Sequence, residues 1–281
     1  MYTRVYVEIT NICNMNCSFC HGHKRELRRM SYPEFCRILD QLTDKTKYIY
    51  YHLMGEPLTH PEIGKFMKTA KERGFCSILT TNGTLVDKRG AELIEAGVHK
   101  VNLSIHSFEG QDESAFETYM NKVVTFAKEA SESGVIIIFR LWNRGYDGGR
   151  NEKIISYLRE KLDGEWRENT RGIRIGEKIH LEWGERFEWP DKEACDYGNQ
   201  VFCYGMRDHF GILCDGTVVP CCLDSDGVIN LGNVFEEDLS EILSTQRATA
   251  IAKGFDRREA VEELCRRCGY AQRFSKGGKG K

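Results

Sequence analysis

The chain has 281 residues, of which 41% are hydrophobic and 29% are charged, and its formal net charge is -2. This length suits one large domain or a domain with an appendage, and the nearly neutral charge gives no general reason to expect a nucleic-acid or membrane-surface partner. No apolar run reaches the ~20 residues that a membrane-spanning helix needs, and no signal peptide opens the chain, so we expect a cytoplasmic protein.

Short β-like runs alternate with helical patterns over the first part of the chain. We predict strands at 5–9, 47–53, 76–80, 100–105, 135–139 and 179–183. Helices are predicted to begin at capping boxes at Ser31, Thr59 and Ser114, and two more cover 88–96 and 151–162. This alternation predicts an α/β fold with a parallel sheet and helices packed outside it. Six units fall short of a closed eight-unit barrel, so we expect an open, partial (β/α)6 TIM-like barrel.

The alternation ends near residue 190, where the sequence becomes rich in glycine and cysteine. We predict a hairpin over 210–219 that turns at Asp215-Gly216, and helices at 239–252 and 257–264. The expected domains are therefore the barrel at 1–190, a small Cys-rich α+β extension at 191–275 and a disordered basic tail at 276–281.

Twelve cysteines are many for such a chain, and they are clustered. Clustered cysteines in a cytosolic protein are typical of metal sites rather than disulfides. Cys13, Cys17 and Cys20, spaced C-x3-C-x2-C after the first strand, can close on one face of a cubane iron–sulfur cluster. Such a cluster normally takes four thiolates, so one iron would stay open to another ligand. The alternatives are a zinc site, which wants a fourth ligand, and cysteines that only pack.

This stretch, with Phe19 before the third cysteine, resembles the signature of the radical SAM superfamily. The resemblance implies a [4Fe–4S] cluster on the three cysteines, whose open iron chelates the amino and carboxylate groups of S-adenosylmethionine. It further implies reductive cleavage of that cofactor to a 5′-deoxyadenosyl radical, which abstracts a hydrogen atom from the substrate. An electron donor such as flavodoxin or ferredoxin is implied as a partner.

Motifs at three predicted strand ends extend the resemblance. Gly55-Glu56 is similar to the family's GGE motif, which binds the cofactor's amino group, although Met54 replaces its first glycine. Asn82 lies in a TNG-like turn that would be near the cofactor, and Ser104 stands where relatives present a serine toward the ribose. The alternative for Gly55-Glu56 is a simple turn with an exposed glutamate.

Arg140 ends the fifth predicted strand and could bind the cofactor's carboxylate with two hydrogen bonds. A surface salt bridge is the alternative for this residue. His106 replaces the acid that often follows the strand-end serine in relatives. The charged run at 24–29 is expected to be solvated rather than an anionic-substrate site.

The second cysteine group resembles the SPASM/twitch extension of radical SAM enzymes. The matching sequence is the run at 211–221 with Leu231-Gly232-Asn233-Val234. The resemblance implies a fully ligated auxiliary [4Fe–4S] cluster, and the predicted ligands are Cys203, Cys221, Cys265 and Cys268. Cys214 and Cys222 are spare thiols, either of which could replace one of these four. A zinc ribbon is the structural alternative.

The expected activity is that of a radical SAM oxidoreductase or maturase. A fully ligated auxiliary cluster has no open iron, so it would accept the substrate radical's electron, which predicts a two-electron oxidation such as a dehydrogenation or a crosslink. The substrate is a peptide or a small molecule. Since the chain opens at its first predicted strand, a peptide would be delivered by a partner protein. The other classes that stay open are a non-catalytic iron–sulfur electron carrier and a zinc-stabilised binding module.

Overall fold

The computed structural model describes residues 1–110, 113–170 and 172–275, and the predicted tail at 276–281 lies outside them. The chain divides into two compact units. The first unit comprises Met1–Ile12, His21–Gly55 and the chain from Phe187 onward, and the second comprises Cys13–Cys20 and Glu56–Arg186. The domain limits expected from the sequence remain predictions. Within the described residues, no helix has the length and apolarity that crossing a membrane requires.

The helices and strands are as follows in chain order. The strands are β1 (Arg4–Val7), β2 (Tyr48–Tyr50), β3 (Cys76–Thr81), β4 (Lys100–Leu103), β5 (Ile136–Arg144), β6 (Trp166–Asn169), β7 (Gly172–Ile175), β8 (Ile179–Glu185), β9 (His209–Ile212) and β10 (Val218–Val219). The helices are α1 (Tyr32–Leu42), α2 (Ile63–Glu72), α3 (Val86–Glu95), α4 (Phe116–Glu132), α5 (Arg150–Lys161), α6 (Leu239–Ser244), α7 (Gln246–Asp256), α8 (Glu263–Arg266) and α9 (Gln272–Ser275). All six predicted strands are present, as β1 to β5 and β8.

The first unit is built on four strands in the order β10-β9-β1-β2. Strand β1 is parallel to both β2 and β9, and β10 is antiparallel to β9. The hairpin predicted over 210–219 is therefore confirmed, whereas its parallel pairing with β1 was not expected. Helix α1 begins at the predicted capping box, where the backbone N–H and the hydroxyl of Ser31 both donate to the carboxylate of Glu34, at 2.7 and 2.8 Å.

The second unit holds the strand order β3-β4-β5-β8-β7-β6. Strands β3, β4, β5 and β8 are parallel neighbours, and helices α3, α4 and α5 each follow one of them in the chain. This confirms the α/β alternation expected from the sequence. The antiparallel hairpin β6–β7 was missed because the residues of β6 are mostly exposed and carry no alternating apolar pattern.

Two predicted capping residues do not stand directly before their helices. Helix α2 begins at Ile63 without a side-chain cap, and Thr59 instead lies in a 3-10 turn where its hydroxyl donates to the Glu56 carbonyl at 2.8 Å. Helix α4 begins at Phe116, and Ser114 belongs to the short 3-10 turn Glu113–Ala115. In both cases a 3-10 turn uses the residues that the capping motif would need.

The two predicted helices of the C-terminal region are also corrected. The expected helix at 239–252 is interrupted at Thr245, which ends α6 and caps α7 by accepting a hydrogen bond from the Ala248 N–H at 3.3 Å. The expected helix at 257–264 is wrong, because Arg258 takes a left-handed φ of 61° that a right-handed helix excludes. Only the short helix α8 forms near its end.

Candidate metal and cofactor sites

The segments on either side of the loop Cys13–Cys20, called the cysteine loop below, pair with each other in the first unit. Thr10 and Arg29 form an antiparallel bridge. The side chain of Asn11 donates to the Glu26 carbonyl and accepts from the Arg28 N–H, both at 2.7 Å. Asn11 is only 2% exposed, so this clamp is shielded from water. The clamp therefore joins the two segments of the first unit that precede and follow the cysteine loop in the chain.

The cysteine loop presents three free thiols. Cys13 and Cys20 are exposed and Cys17 is half-buried. The loop folds back on itself, since the Met15 N–H donates to Cys13 Sγ at 3.4 Å and the Cys20 N–H donates to the Cys17 carbonyl at 3.1 Å. Although the residue as a whole is exposed, partial desolvation of the Cys13 sulfur raises the pKa of its thiol, the hydrogen bond from the Met15 N–H opposes the rise, and the charges of Glu56 and Cys20 add to it. A bound cation would reverse this rise and favour the thiolate.

Glu56 lies in the same unit as the cysteine loop, with 2% of its surface exposed. Its Oε1 accepts from Thr81 Oγ1 at 2.6 Å and from the Leu58 N–H at 3.1 Å, and its Oε2 accepts from the Asn82 N–H at 2.7 Å. Burial raises the pKa of Glu56 to about 7, and these hydrogen bonds limit the rise. The sequence alternative of an exposed glutamate in a simple turn is therefore wrong. Oε2 accepts one hydrogen bond from the described residues and keeps capacity for another donor.

Asn82-Gly83 forms a tight turn at the end of β3, as the sequence predicts. Gly83 has a φ of 78°, and a side chain there would press on Tyr119 and Val123, with 3.1 Å to each nearest atom. The Tyr119 hydroxyl donates to the Asn82 carbonyl at 2.7 Å. Sequence reasoning missed Tyr119, because its position in the apolar stripe of α4 indicates only a core residue.

Ser104 follows β4 directly, and its carbonyl accepts from Ser107 Oγ at 2.6 Å. Ser107 also offers its carbonyl to Cys17 Sγ at 3.8 Å, which brings the serine pair to the cysteine loop. Phe19 lies against His106, with 5.0 Å between ring centroids. Burial lowers the pKa of His106 to about 4, so this imidazole is neutral near pH 7.

Arg140 lies within β5 rather than at its end, because this strand continues to Arg144. Its Nη1 donates to Thr80 Oγ1 at 3.4 Å, and its guanidinium carbon lies 4.8 Å from the ring centroid of Trp142. The Arg140 carbonyl is the hydrogen-bond partner of His106 Nδ1 at 2.9 Å. The half-buried guanidinium therefore has at least two neighbours in its own unit, the Thr80 hydroxyl and the Trp142 ring.

Gly55 belongs to the first unit and has a φ of 76°. A Cβ at this position would lie 2.5 Å from the Thr10 carbonyl oxygen and 2.7 Å from the carbonyl carbon of Asn11. Glycine is therefore required here for two reasons, the left-handed backbone and the close approach of the chain before the cysteine loop.

A buried ion pair in the first unit was also missed from the sequence. Glu8 is fully buried, and each of its carboxylate oxygens lies 2.8 Å from a guanidinium nitrogen of Arg25. The backbone N–H groups of Met54 and Cys214 also donate to Glu8, at 3.0 and 3.2 Å. The sequence predicts that the charged run at 24–29 is solvated; for Arg25 this is wrong.

The predicted auxiliary ligands all belong to the first unit, and Cys221 lies near enough to the other three for their charges to act on it. Burial raises the pKa of the Cys221 thiol, and the negative charges of four neighbouring thiols raise it further. Those neighbours are Cys203, Cys222, Cys265 and Cys268. The spare thiol Cys222 is therefore part of this group. The other spare, Cys214, lies instead beside Arg25 and Glu8, where its Sγ accepts from the guanidinium at 3.7 Å.

The donor chemistry of both cysteine groups fits iron–sulfur clusters. All twelve cysteines lie in described residues and carry free thiols. Several thiolates cannot share a buried site without a cation, and iron–sulfur clusters supply one. In the described part of the chain, no three His, Cys, Asp or Glu side chains are arranged to hold a single metal ion.

Comparison with protein families agrees with these two cysteine groups. The model of the Radical SAM superfamily matches residues 7–144, and the model of the SPASM iron–sulfur cluster-binding domain matches residues 203–269. The chain belongs to the radical SAM superfamily and carries a C-terminal SPASM domain. These two domains imply S-adenosylmethionine, a [4Fe–4S] cluster and an auxiliary cluster as the cofactors of this radical SAM protein.

Two curated relatives illustrate how far the similarity extends. The tungsten-containing aldehyde ferredoxin oxidoreductase cofactor-modifying protein of Pyrococcus furiosus is 38% identical over 106 residues, which is 36% of this chain but only 30% of that relative. This radical SAM protein therefore matches less than a third of that relative's length. A probable GTP 3′,8-cyclase of Sulfurisphaera tokodaii is 24% identical over 83% of this chain and 85% of its own length.

Solved structures of radical SAM enzymes share the fold. The crystal structure of BtrN in complex with AdoMet and 2-DOIA has a TM-score of 0.61 at 19% identity, and covers 95% of this chain and 93% of BtrN. The native anSMEcpe structure with bound AdoMet and Cp18Cys peptide has a TM-score of 0.61 at 16% identity, and covers 99% of this chain and 91% of anSMEcpe. This likeness confirms the α/β fold class, and a partial barrel is consistent with it.

Proposed function

We propose that this radical SAM protein cleaves S-adenosylmethionine reductively and oxidises a peptide or a small molecule by two electrons. When bound, the cluster and S-adenosylmethionine would supply a 5′-deoxyadenosyl radical, which takes a hydrogen atom from the substrate. The observation that carries this proposal is the buried carboxylate of Glu56, held by Thr81 and Asn82 in the same unit as the cysteine loop. A non-catalytic electron carrier would have no use for such a carboxylate.

Three thiols are assigned to the first cluster. Cys13, Cys17 and Cys20 would bind three of its irons and leave one iron without a protein ligand. The exposure of Cys13 and Cys20 supports this assignment, because a small molecule has to reach the open iron from solvent.

The cofactor-binding residues have distinct proposed tasks. Glu56 would accept a hydrogen bond from the amino group of the methionyl part, and Gly55 would let the backbone approach it. Arg140 would bind the methionyl carboxylate, and Ser104 would bind the ribose. Asn82 is assigned to the same site.

Phe19 would cover one side of this site. Its ring lies against the neutral His106, and the guanidinium carbon of Arg186 lies 5.9 Å from its centroid. An aromatic ring beside the cluster excludes water, which would otherwise quench a reactive radical.

The auxiliary cluster is assigned to Cys203, Cys221, Cys265 and Cys268, called the four C-terminal cysteines below. A cluster with four protein thiolates has no open iron, so its proposed task is to take an electron from the substrate radical. Loss of a proton from the same radical completes the two-electron oxidation, which would be a dehydrogenation or a crosslink. A flavodoxin or ferredoxin would supply the electron that starts each turnover.

The substrate class rests on similarity alone. Among the similar proteins, BtrN binds 2-DOIA, anSMEcpe binds a peptide, and one relative is a probable GTP 3′,8-cyclase. We therefore keep both a peptide, presented by a delivery partner, and a small molecule as candidate substrates. They can be separated by adding each class and measuring whether 5′-deoxyadenosine forms faster than without substrate.

One experiment tests the core of the proposal. The protein is reconstituted anaerobically, its iron and sulfide are counted, and 5′-deoxyadenosine is assayed after reduction. We expect about eight irons per chain, from two four-iron clusters, together with cofactor cleavage. Successful reduction without any 5′-deoxyadenosine would refute the enzymatic proposal in favour of an electron carrier. Zinc with little iron would instead support a zinc-stabilised binding module.

A further inference from the structure

Three side chains close a ring of hydrogen bonds between the cysteine loop and the turn after β3. Asn14 Nδ2 donates to Thr84 Oγ1 at 2.8 Å, Thr84 Oγ1 donates to Asn82 Oδ1 at 2.6 Å, and Asn82 Nδ2 donates to Asn14 Oδ1 at 2.9 Å. Each residue gives one hydrogen bond and receives one within the ring. Asn14 follows Cys13 directly in the chain, so the ring ties the first cysteine to this turn.

The direction of the ring follows from the backbone. The Thr84 N–H donates to Asn82 Oδ1 at 2.9 Å, which fixes the oxygen of this amide toward Thr84 and its nitrogen toward Asn14. Asn14 must therefore turn its oxygen to Asn82 and its nitrogen to the Thr84 hydroxyl. That hydroxyl then has its single proton left for Asn82. Hydrogen bonds that run head to tail in this way polarise and strengthen one another.

The same asparagine also holds Glu56. The backbone N–H of Asn82 donates to Glu56 Oε2 at 2.7 Å, and the Thr81 hydroxyl donates to Glu56 Oε1 at 2.6 Å. On the other side of Asn82, its carbonyl accepts from the buried Tyr119 hydroxyl at 2.7 Å. Asn82 therefore binds Glu56 with its backbone N–H and the cysteine loop with its side chain, and so joins the two.

We propose that Asn14, Thr84 and Asn82 are positioning residues that fix the cysteine loop relative to Glu56, so that a group chelated by the open iron can also donate a hydrogen bond to the Glu56 carboxylate. This inference rests on the proposed function, in which that group is the methionyl part of S-adenosylmethionine. Asn82 then acts chiefly through the residues that it holds, because its side-chain amide is already engaged by Asn14 and Thr84.

Thr84 offers a matched pair of variants. Thr84→Val keeps the shape of the side chain but has no hydroxyl, so it breaks two of the three hydrogen bonds of the ring, whereas Thr84→Ser keeps all three. The first measurement is the rate at which an iron chelator removes iron from the reconstituted protein. A second is the affinity for S-adenosylmethionine, read from the change that it causes in the electron paramagnetic resonance signal of the reduced cluster.

We expect Thr84→Val to lose iron from the N-terminal cluster about tenfold faster than the wild type and to bind S-adenosylmethionine about tenfold more weakly. A factor of ten corresponds to roughly 1.4 kcal/mol of lost hydrogen bonding. Thr84→Ser should stay close to the wild type in both. Asn14→Ala should behave like Thr84→Val, and Asn14 is exposed, so this substitution leaves the core intact. Because the ring is cooperative, the double variant of Asn14 and Thr84 should cost less than the two single changes together.

The surface residue Asn121, whose side chain accepts from the Tyr157 hydroxyl in the same unit, serves as the control through Asn121→Ala. Iron loss at equal rates from the valine and serine variants would overturn the role of the ring at the cysteine loop. Faster iron loss with unchanged S-adenosylmethionine affinity would overturn its link to Glu56. Failure of the proposed function would look different, since the wild type itself would then show no response of its cluster to S-adenosylmethionine.

Discussion

If Glu56 binds the cofactor's amino group as proposed, we expect it to set the pH dependence of S-adenosylmethionine binding. Burial raises the pKa of this carboxyl to about 7, compared with 4.5 for the unperturbed group. Only the ionised carboxylate offers two acceptor oxygens to the cofactor's amino group. If the ionised form alone binds, affinity falls by about tenfold between pH 8 and pH 6, because about nine tenths of the carboxyl is protonated at pH 6 for a pKa of about 7.

The assay is a titration of the reconstituted protein with S-adenosylmethionine at several pH values, for the wild type and for Glu56→Gln. The variant cannot ionise at this position, so it should bind S-adenosylmethionine more weakly than the wild type at pH 8. Its affinity should also change much less between pH 8 and pH 6. The pH dependence that remains in Glu56→Gln measures all other groups, including the cofactor's own amino group. The difference between the two proteins is therefore the contribution of Glu56.

Protein stability should follow the same titration. Since the folded-state pKa of about 7 lies above the unfolded value of 4.5, the folded protein holds a proton that the unfolded chain has released between these pH values. Stability therefore falls as pH rises from 4.5 through 7, by up to about 3 kcal/mol, and Glu56→Gln removes this fall. If affinity varied with pH in the same way in the wild type and in Glu56→Gln, and stability did too, Glu56 would not be the titrating group.

Three further predictions concern the first unit. Cys222→Ala should keep the iron content, whereas alanine at all four C-terminal cysteines should remove about half of the iron; metal analysis decides both. Arg25→Met should destabilise the protein by about 3 to 5 kcal/mol in denaturant unfolding, because it leaves the carboxylate of Glu8 buried without its cation. Adding Glu8→Gln to this variant should recover part of the lost stability. Gly55→Ala should cost about 3 kcal/mol in the same assay, from its left-handed φ and its contact with the preceding chain.

The parts of the fold that could be predicted are those that leave a local pattern. Strands β1 to β5 and β8 appear as apolar runs between helical patterns, and Gly83 marks a turn by its type alone. The hairpin β6–β7 leaves no such pattern, because most residues of β6 face solvent. The interruption at Thr245 was missed for a similar reason: its hydroxyl can cap a helix, yet threonine also occurs inside one.

Contacts between distant residues explain why parts of the candidate site were missed. Glu8 and Arg25 look like ordinary surface charges in sequence, and only the folded chain shows them as a buried pair. Asn14 and Thr84 are 70 residues apart, so no spacing rule connects them. The cysteines could be predicted because thiols of this spacing have few other uses, whereas asparagine and threonine serve in turns throughout the chain.

The two cysteine groups differ in a way that bears on their tasks. Cys13 and Cys20 are exposed, so a cluster on their loop can exchange a ligand with solvent. The four C-terminal cysteines are half-buried or buried. Shielding of this kind restricts the approach of a ligand but not the transfer of an electron over a short distance. The difference in exposure therefore favours substrate chemistry at the first cluster and electron acceptance at the second, which is the division that a two-electron oxidation requires.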